Sequence, residues 1–546
     1  MTSGAERGGG TERRGLTRRV GVVSAAVFSS RILGLVREQV FATFFGAGRE
    51  LDAFVTAFRI PNLFRDLFAE GALSAAFVST FTQEEARHGA AAAWRLANLV
   101  VNTLALIVAS VCLAGIVWAP EISRAIAPGF EAIPGKAELT THLTRIMFPF
   151  LLLVALAAVA MGILNTRHYF GVPAAASTFF NLGSVVGGLV CGWWLAPQYF
   201  STFGAHAAPI DPALTERAIT GMAIGTLIGG LCQLLVQVPS LHRVGYRYRP
   251  LLSFGDPSLR QVLRLMAPAT IGAAAVQVNV FVNSNFASYL GDGPVSWLNV
   301  AFRFMQLPIG LFGVAVGTVA LPSLARHVAA GDTGALTRTL RQSLELIATL
   351  CVPAAVGLAI FGVPIVGLVY EHGRFVHADT VAAADALRAY AVGLTGYAGI
   401  KVLAPAFYAL DDARTPMMVS LLSILVNLAF NWMLVRVLGL GHVGLALSTS
   451  VVALGNCGIL YIVLRRRVGP LGAGFARTLV RIATAAAIMG VVGVAIDHAV
   501  AGWLPTRASL RYGLELALVG PPCVATFLVG AHLMGVPVPL GRRQAR

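Results

Sequence analysis

The sequence predicts an all-α protein that crosses a membrane many times. Two features of composition and one of pattern predict it. Hydrophobic residues make up 56% of the 546 residues and charged residues only 12%, with a mean hydropathy of +0.74, whereas a soluble domain carries roughly 25% charge. Apolar runs close to the ~20 residues that span a bilayer as a helix recur along the chain. They lack the ~10-residue alternation of an outer-membrane barrel strand.

Fourteen runs bounded by Pro, Gly or charge are expected to span. The first, 20–46, follows Arg13, Arg14, Arg18 and Arg19 and has the basic start of a signal peptide. It continues through Arg31 and Arg37 to Phe45 with helical rather than cleavage-site character, which predicts a retained helix. The second, 52–80, contains Pro61, which removes a helical hydrogen bond and predicts a bend. The next four are 93–118, 140–165, 173–196 and 217–240. A second set follows at 260–290, 296–325, 337–369, 381–410, 415–437 and 442–464, and two further runs lie at 474–496 and 510–536. The longest outer loops, 119–139 and 197–216, are too short for a separate catalytic domain.

An even number of spans puts both termini on one side, and charge says which. The formal net charge is +16, from 39 arginines, only two lysines (Lys136 and Lys401), and 25 acids. Segments on the N-terminal side hold about 25 arginines, with five before residue 20, five between 243 and 264 and five between 465 and 481; that excess marks the cytoplasmic side. The C-terminal Arg542, Arg543 and Arg546 belong to the same bias. No basic patch interleaved with aromatics occurs on a soluble module, so nucleic acid is not an expected partner. The six cysteines are scattered with no C-x-x-C pair, which predicts packing rather than zinc or disulfides. Gly439 to Gly444 matches G-x-G-x-x-G but has no strand before it, and no nucleotide-binding or hydrolytic signature is present.

A weak internal repeat divides the chain. Ala57-Phe58-Arg59 matches Ala301-Phe302-Arg303, Leu67-Phe68 matches Leu311-Phe312, and Pro173 matches Pro416. An offset of six spans preserves orientation and predicts parallel repeats about an axis along the membrane normal. The expected organisation is a basic segment 1–19, an N-lobe 20–240, a basic linker 241–259, a C-lobe 260–465, two extra helices 466–536 and a basic tail 537–546.

Charge inside the expected spans points to the chemistry. Arg31, Arg37, Arg59, Arg65, Arg303 and Lys401 all fall within them, and each would cost about 2.5–3.5 kcal/mol facing lipid at the bilayer centre. Such residues persist where they line a wet cavity, pair with acids or meet an anionic ligand. Ser30 and Arg37 share one helical face, with Arg31 about 100° away. In the second span Asp52, Arg59, Asn62 and Asp66 form a stripe, with Arg65 and Glu70 close by. Arginine presents a planar, permanently charged fork that grips phosphate bidentately. Asp52, Asp66 and Glu70 neutralise at most three of the five arginines, so several arginines in one cavity predict a diphosphate ligand. Lys401 sits deep in the tenth span and joins the set. Asn427 and Asn431, one turn apart, and Ser448, with Asn279 or Asn283, offer oxygens to a monovalent cation; interhelical hydrogen bonding is the commoner use of such residues.

The stretch Ser29-Ser-Arg-Ile-Leu-Gly-Leu-Val-Arg37, Phe45-Gly-Ala-Gly48, Asp52-Ala-Phe54, Arg59-Ile-Pro-Asn-Leu-Phe-Arg65 and Phe68-Ala-Glu-Gly-Ala72 closely resembles the start of the MurJ (MviN) family. Ser296-Trp297, Arg303, Val402-Leu-Ala-Pro-Ala-Phe-Tyr408 and Thr415-Pro416 look like that family too. The resemblance implies a flippase for lipid II, undecaprenyl-diphosphate-linked disaccharide-pentapeptide, in the bacterial inner membrane, working beside membrane lipids and other cell-wall synthesis proteins. It implies two six-helix lobes in a V around a cationic cavity, and a final helix pair forming an apolar groove for the lipid tail. The family's important residues match at Ser30, Arg31, Arg37, Asp52, Arg65, Glu70 and Arg303. Gln306 departs, standing where some relatives carry Glu. A sodium site of the family falls on Asn427, Asn431 and Ser448, without evident acidic ligands. The rivals are an exporter of another lipid-linked oligosaccharide or of drugs in the same superfamily, and a membrane glycosyltransferase. Arginine excess disfavours cationic drugs, and short loops disfavour the enzyme.

Overall fold

The computed structural model describes residues 26, 28–69, 72–201, 211–472 and 474–536, with side chains at 60, 64–69, 72–75 and 267–276 outside the description. Among the described residues the chain is helical and contains no strand. It divides into two compact units, Met1–Gln277 and Val278–Arg546.

The first unit runs through α1 (28–45), α2 (Arg49–Ala69), α3 (Ala72–His88), α4 (Ala90–Val117), α5 (Ala119–Ile126), a 3-10 turn at Pro128–Ala132, α6 (Lys136–Met147), α7 (Phe150–Thr166), α8 (Gly171–Leu195), α9 (Pro197–Ser201), α10 (Pro212–Leu235), α11 (Val238–Arg243) and the start of α12 (Pro257–Ser288). One of its cores packs Phe77 and Phe81 of α3 against Leu96, Val100 and Leu104 of α4 and Leu151, Ala155 and Ile163 of α7. α8 and α10 approach most closely through small residues: a Cβ at Gly221 would overlap the Gly192 backbone, and one at Gly225 the Gly188 backbone. Dispersion and lipid entropy, rather than a hydrophobic drive, hold such pairs together in a membrane. The chain after α11 is tied back to α4, with the Tyr246 hydroxyl donating to Asn98 Oδ1 (3.0 Å) and the Asn102 amide donating to the Arg249 carbonyl (2.8 Å).

The second unit continues with α13 (Pro294–Pro308), a π-helical stretch Ile309–Val314, α14 (Ala315–Ala329), α15 (Thr333–Ile360), α16 (Gly362–Tyr370), α17 (His377–Ala409), α18 (Arg414–Asn431), a second π stretch Trp432–Val437, α19 (Gly441–Val468), α20 (Gly474–Val500), a 3-10 turn at Ala501–Trp503 and α21 (Ala508–Leu533). The last two helices pack on α15 and α16 through Phe361, Met489, Val519 and Phe527. The Tyr512 hydroxyl donates to Glu371 (2.9 Å) at the end of α16. α14 lies so close on α17 that a Cβ at Gly317 would overlap the Lys401 carbonyl oxygen.

Ten helical segments among the described residues are long and apolar enough to cross a membrane. The other four expected spans fall on α1, on α2 with α3, on α12 and on α17. Two expected boundaries differ. The ninth ends at Ile360, because Pro364 cannot continue the helix past the carbonyl four residues earlier; it sits instead in the first turns of α16. The expected outer loop 119–139 is mostly ordered helix, started by Pro120 in the first turn of α5 and resumed after Gly135, whose φ of 74° suits a residue without Cβ.

Candidate functional site

Arg37 lies on the face of α1 turned toward α2 and α8. Its guanidinium carbon stands 5.1 Å from the Phe180 ring centre and 5.8 Å from that of Phe58, with Glu38 3.7 Å away and only 12% of the side chain accessible. Aromatic faces within about 6 Å attract a planar cation through the ring quadrupole. Ser30 is half-buried, and its carbonyl accepts from the Asn181 amide (3.1 Å) on α8. Arg31 is exposed. The structure therefore separates two arginines that the sequence places on neighbouring positions: one fixed, one open to the surroundings.

On α2, Asp52 is fully buried and accepts from Lys136 Nζ at 3.0 Å, with neither side chain accessible. The ammonium also sits 4.2 Å from the Phe130 ring centre. One turn earlier Arg49 pairs with Glu216 of α10. Removing one member of a buried ion pair costs about 3–5 kcal/mol, because the other charge is left uncompensated. Arg59 and Asn62 are half-buried further along α2, on either side of Pro61. Arg65 and Asp66 lie on α2 outside the described side chains, and Glu70 lies outside the described residues.

In the second unit, Arg303 is half-buried on α13, within electrostatic reach of the fully buried Tyr370. Gln306, one turn on, is exposed, as is Lys401 of α17. The asparagines form one network across α12, α18 and α19. The Asn431 amide donates to Asn283 Oδ1 (2.8 Å) and Asn427 Oδ1 (3.1 Å), the Asn427 amide to Ser448 Oγ (3.3 Å), and the Asn283 amide to Thr449 Oγ1 (3.0 Å). Asn279 donates to Ser423 (3.3 Å). The Oδ1 atoms of Asn431 and Asn279 are buried without a donor.

Sequence reasoning missed three members of these arrangements. Phe58 and Phe180 look like ordinary lipid or core residues until the fold puts them beside Arg37. Lys136 falls in the expected outer loop 119–139, although it carries a signal: it is one of two lysines in a chain with 39 arginines.

Comparison with known proteins fits this geometry. The family model for the lipid II flippase MurJ matches residues 41–512. The lipid II flippase MurJ of Burkholderia cenocepacia is 35% identical over 456 residues, 83% of this chain and 84% of that protein. The probable lipid II flippase MurJ of Vibrio cholerae is 34% identical over 525 residues, 94% and 95% of the two chains. A solved structure of lipid II flippase MurJ in an inward closed conformation superposes with a TM-score of 0.74 at 25% identity, covering 94% of this chain and 98% of that one. An inward-facing multidrug transporter of the MATE family and MOP superfamily shares the fold at 14% identity, with a TM-score of 0.65 over 82% of this chain and 98% of its own. The chain spans most of the length of each of these proteins, and it belongs to the MurJ lipid II flippase family.

Proposed function

We infer that this chain flips lipid II from the inner to the outer leaflet of the bacterial cytoplasmic membrane by alternating access, and that it is a transporter rather than an enzyme. The observation that carries the reading is family membership across residues 41–512, and the stacked Arg37 gives it a physical basis. In this reading the Arg37 guanidinium, set beside the Phe58 and Phe180 rings, turns its planar fork to the diphosphate in the substrate-bound state. In this reading Arg31, Arg37, Arg65 and Arg303, with Ser30, Asn62 and Lys401, grip the diphosphate and sugars. Arg59, Asp66 and Glu70 exchange ion-pair partners between states, and Asp52 contributes through ion pairing with Lys136. Only differential affinity lets a ligand shift such an equilibrium. Residues 20–240 and 260–465 act as the two lobes, and α20 and α21 hold the polyprenyl tail. The arginine excess of one set of loops supports cytoplasmic termini.

A monovalent cation is the accompanying proposal. The neutral oxygens of Asn427, Asn431 and Ser448 would hold sodium, and the donor-free Oδ1 atoms of Asn431 and Asn279 are suited to such an ion. Bound there, the ion would supply a positive charge linking α18 and α19. The amides already knit these helices together on their own.

The test is depletion of the chain in its host, followed by exposure of cells to an external lipid II-degrading toxin, with Arg31→Glu and Arg303→Glu supplied in trans. Lipid II that accumulates and escapes the toxin, and that neither variant releases, supports the reading. Lipid II that stays fully exposed with no parallel flippase present overturns the substrate and makes another lipid-linked oligosaccharide the cargo.

A further inference from the structure

We infer that Lys136 is a positioning residue for translocation: its ammonium holds Asp52, and through it the N-terminal half of α2, against α6 in a way arginine cannot reproduce. This rests on the flippase reading above.

The placement of Lys136 is not explained by the helix that carries it. Lys136 is the first residue of α6, where the helix dipole disfavours a cation. Asp52, by contrast, lies in the first turn of α2, where the dipole favours an anion. The two groups come together from 84 residues apart, and neither is accessible. The pair is closed on another side by Phe130, itself 1% exposed.

The choice of residue is informative. The chain uses 39 arginines and two lysines, so a cation that only needed to be positive would be expected to be arginine. Lysine ends in a compact point charge, whereas guanidinium is a broad planar fork that needs several acceptors. The ammonium meets the Asp52 carboxylate at 3.0 Å and the Phe130 ring at 4.2 Å in a space where neither charged side chain is accessible, which suits a compact cation. The Gly135 turn just before it leaves room for Arg49, as a Cβ there would come within 3.1 Å of that guanidinium. Arg49 in turn pairs with Glu216.

Two ion pairs therefore clamp the first turn of α2, one to α6 and one to α10. Pro61 lies further along the same helix, next to Asn62 and two residues from Arg59. With its start clamped, α2 places Arg59 and Asn62, on either side of Pro61, relative to a fixed end. Lys136 acts through Asp52 and touches no ligand, since its side chain is wholly enclosed.

The experiment compares the full-length parent with Lys136→Arg, Lys136→Met, Asp52→Asn and the double variant Asp52→Asn with Lys136→Met. Each is purified in detergent for thermal melting and reconstituted in vesicles containing lipid II for translocation. Each single neutral variant is expected to melt lower than the parent, and the double variant is expected to recover most of that loss, because no buried charge is orphaned. The double variant and Lys136→Arg are expected to translocate at least tenfold more slowly. The lipid II concentration for half-maximal rate should change less than threefold, because the substrate contacts are intact. Parental rates in the folded double variant, or in Lys136→Arg, would overturn the inference; if the double variant does not fold, Lys136→Arg alone decides it. A parent that moves no lipid II, with the variants' melting behaviour as expected, sinks the flippase reading and the translocation role with it, while leaving the clamp.

Discussion

Replacing Arg37 by lysine separates charge from shape at the best-defined cation of α1. The charge is retained, but the flat π-surface that contacts Phe180 at 5.1 Å and Phe58 at 5.8 Å is lost. Lysine keeps part of the cation–π attraction, which is worth about 0.5–1 kcal/mol per ring for either cation, so the fold should lose at most about 1–2 kcal/mol, which melting in detergent would register as no more than a few degrees. The effect on binding should be larger. A single ammonium replaces a bidentate fork, forfeiting one charge-assisted bond of about 1.5–3 kcal/mol, equivalent to about 10- to 150-fold in affinity. Because only 12% of the side chain is accessible, salt should screen little of that difference. The assay is equilibrium binding of lipid II to purified protein at two ionic strengths, beside the melting curves. Affinity within twofold of the parent would refute the idea that Arg37 grips diphosphate with its fork. So would a loss fully accounted for by unfolded protein.

Two further outcomes follow from geometry. Asn431→Leu removes the donor from both Asn283 Oδ1 and Asn427 Oδ1. At about 0.6–1.7 kcal/mol per interhelical bond in a membrane, it should destabilise the second unit by about 1–3 kcal/mol in denaturant titrations. Asn431→Asp should destabilise it too, with sodium but not choline restoring the loss; indifference to sodium would remove the cation proposal. Asp412, in the turn between α17 and α18, is held below the ordinary carboxylate range by the Thr415 hydroxyl (2.6 Å) and N–H (3.0 Å), with Arg467 at 2.7 Å adding to the effect. A depressed folded value means that its stabilisation is complete above the unfolded value near ~3.9 and is lost as pH falls through the folded one. Asp412→Asn should therefore melt below the parent at pH 7, and the two curves should converge as pH drops below ~4.

The sequence alone determined the fold class, the order of the membrane-spanning helices and the arginines worth attention. Hydropathy is a local property, and a backbone in lipid must satisfy its own hydrogen bonds within each segment, so a helix can be read from ~20 residues without its neighbours. The cost of a charge in lipid is local as well, which is why Arg31, Arg37 and Arg303 stood out before any contact was known. Helix ends were less legible: the break of the ninth span at Phe361 depends on packing as much as on Gly362 and Pro364. Partners belong to tertiary structure. The exposed Arg31 and the stacked Arg37 look alike in the sequence, and nothing near Asp52 announces a lysine 84 residues away. Such contacts are set by which helix faces meet, and no single segment carries that information. Only the folded chain could decide that Asp52 meets a lysine and that two phenylalanines frame Arg37.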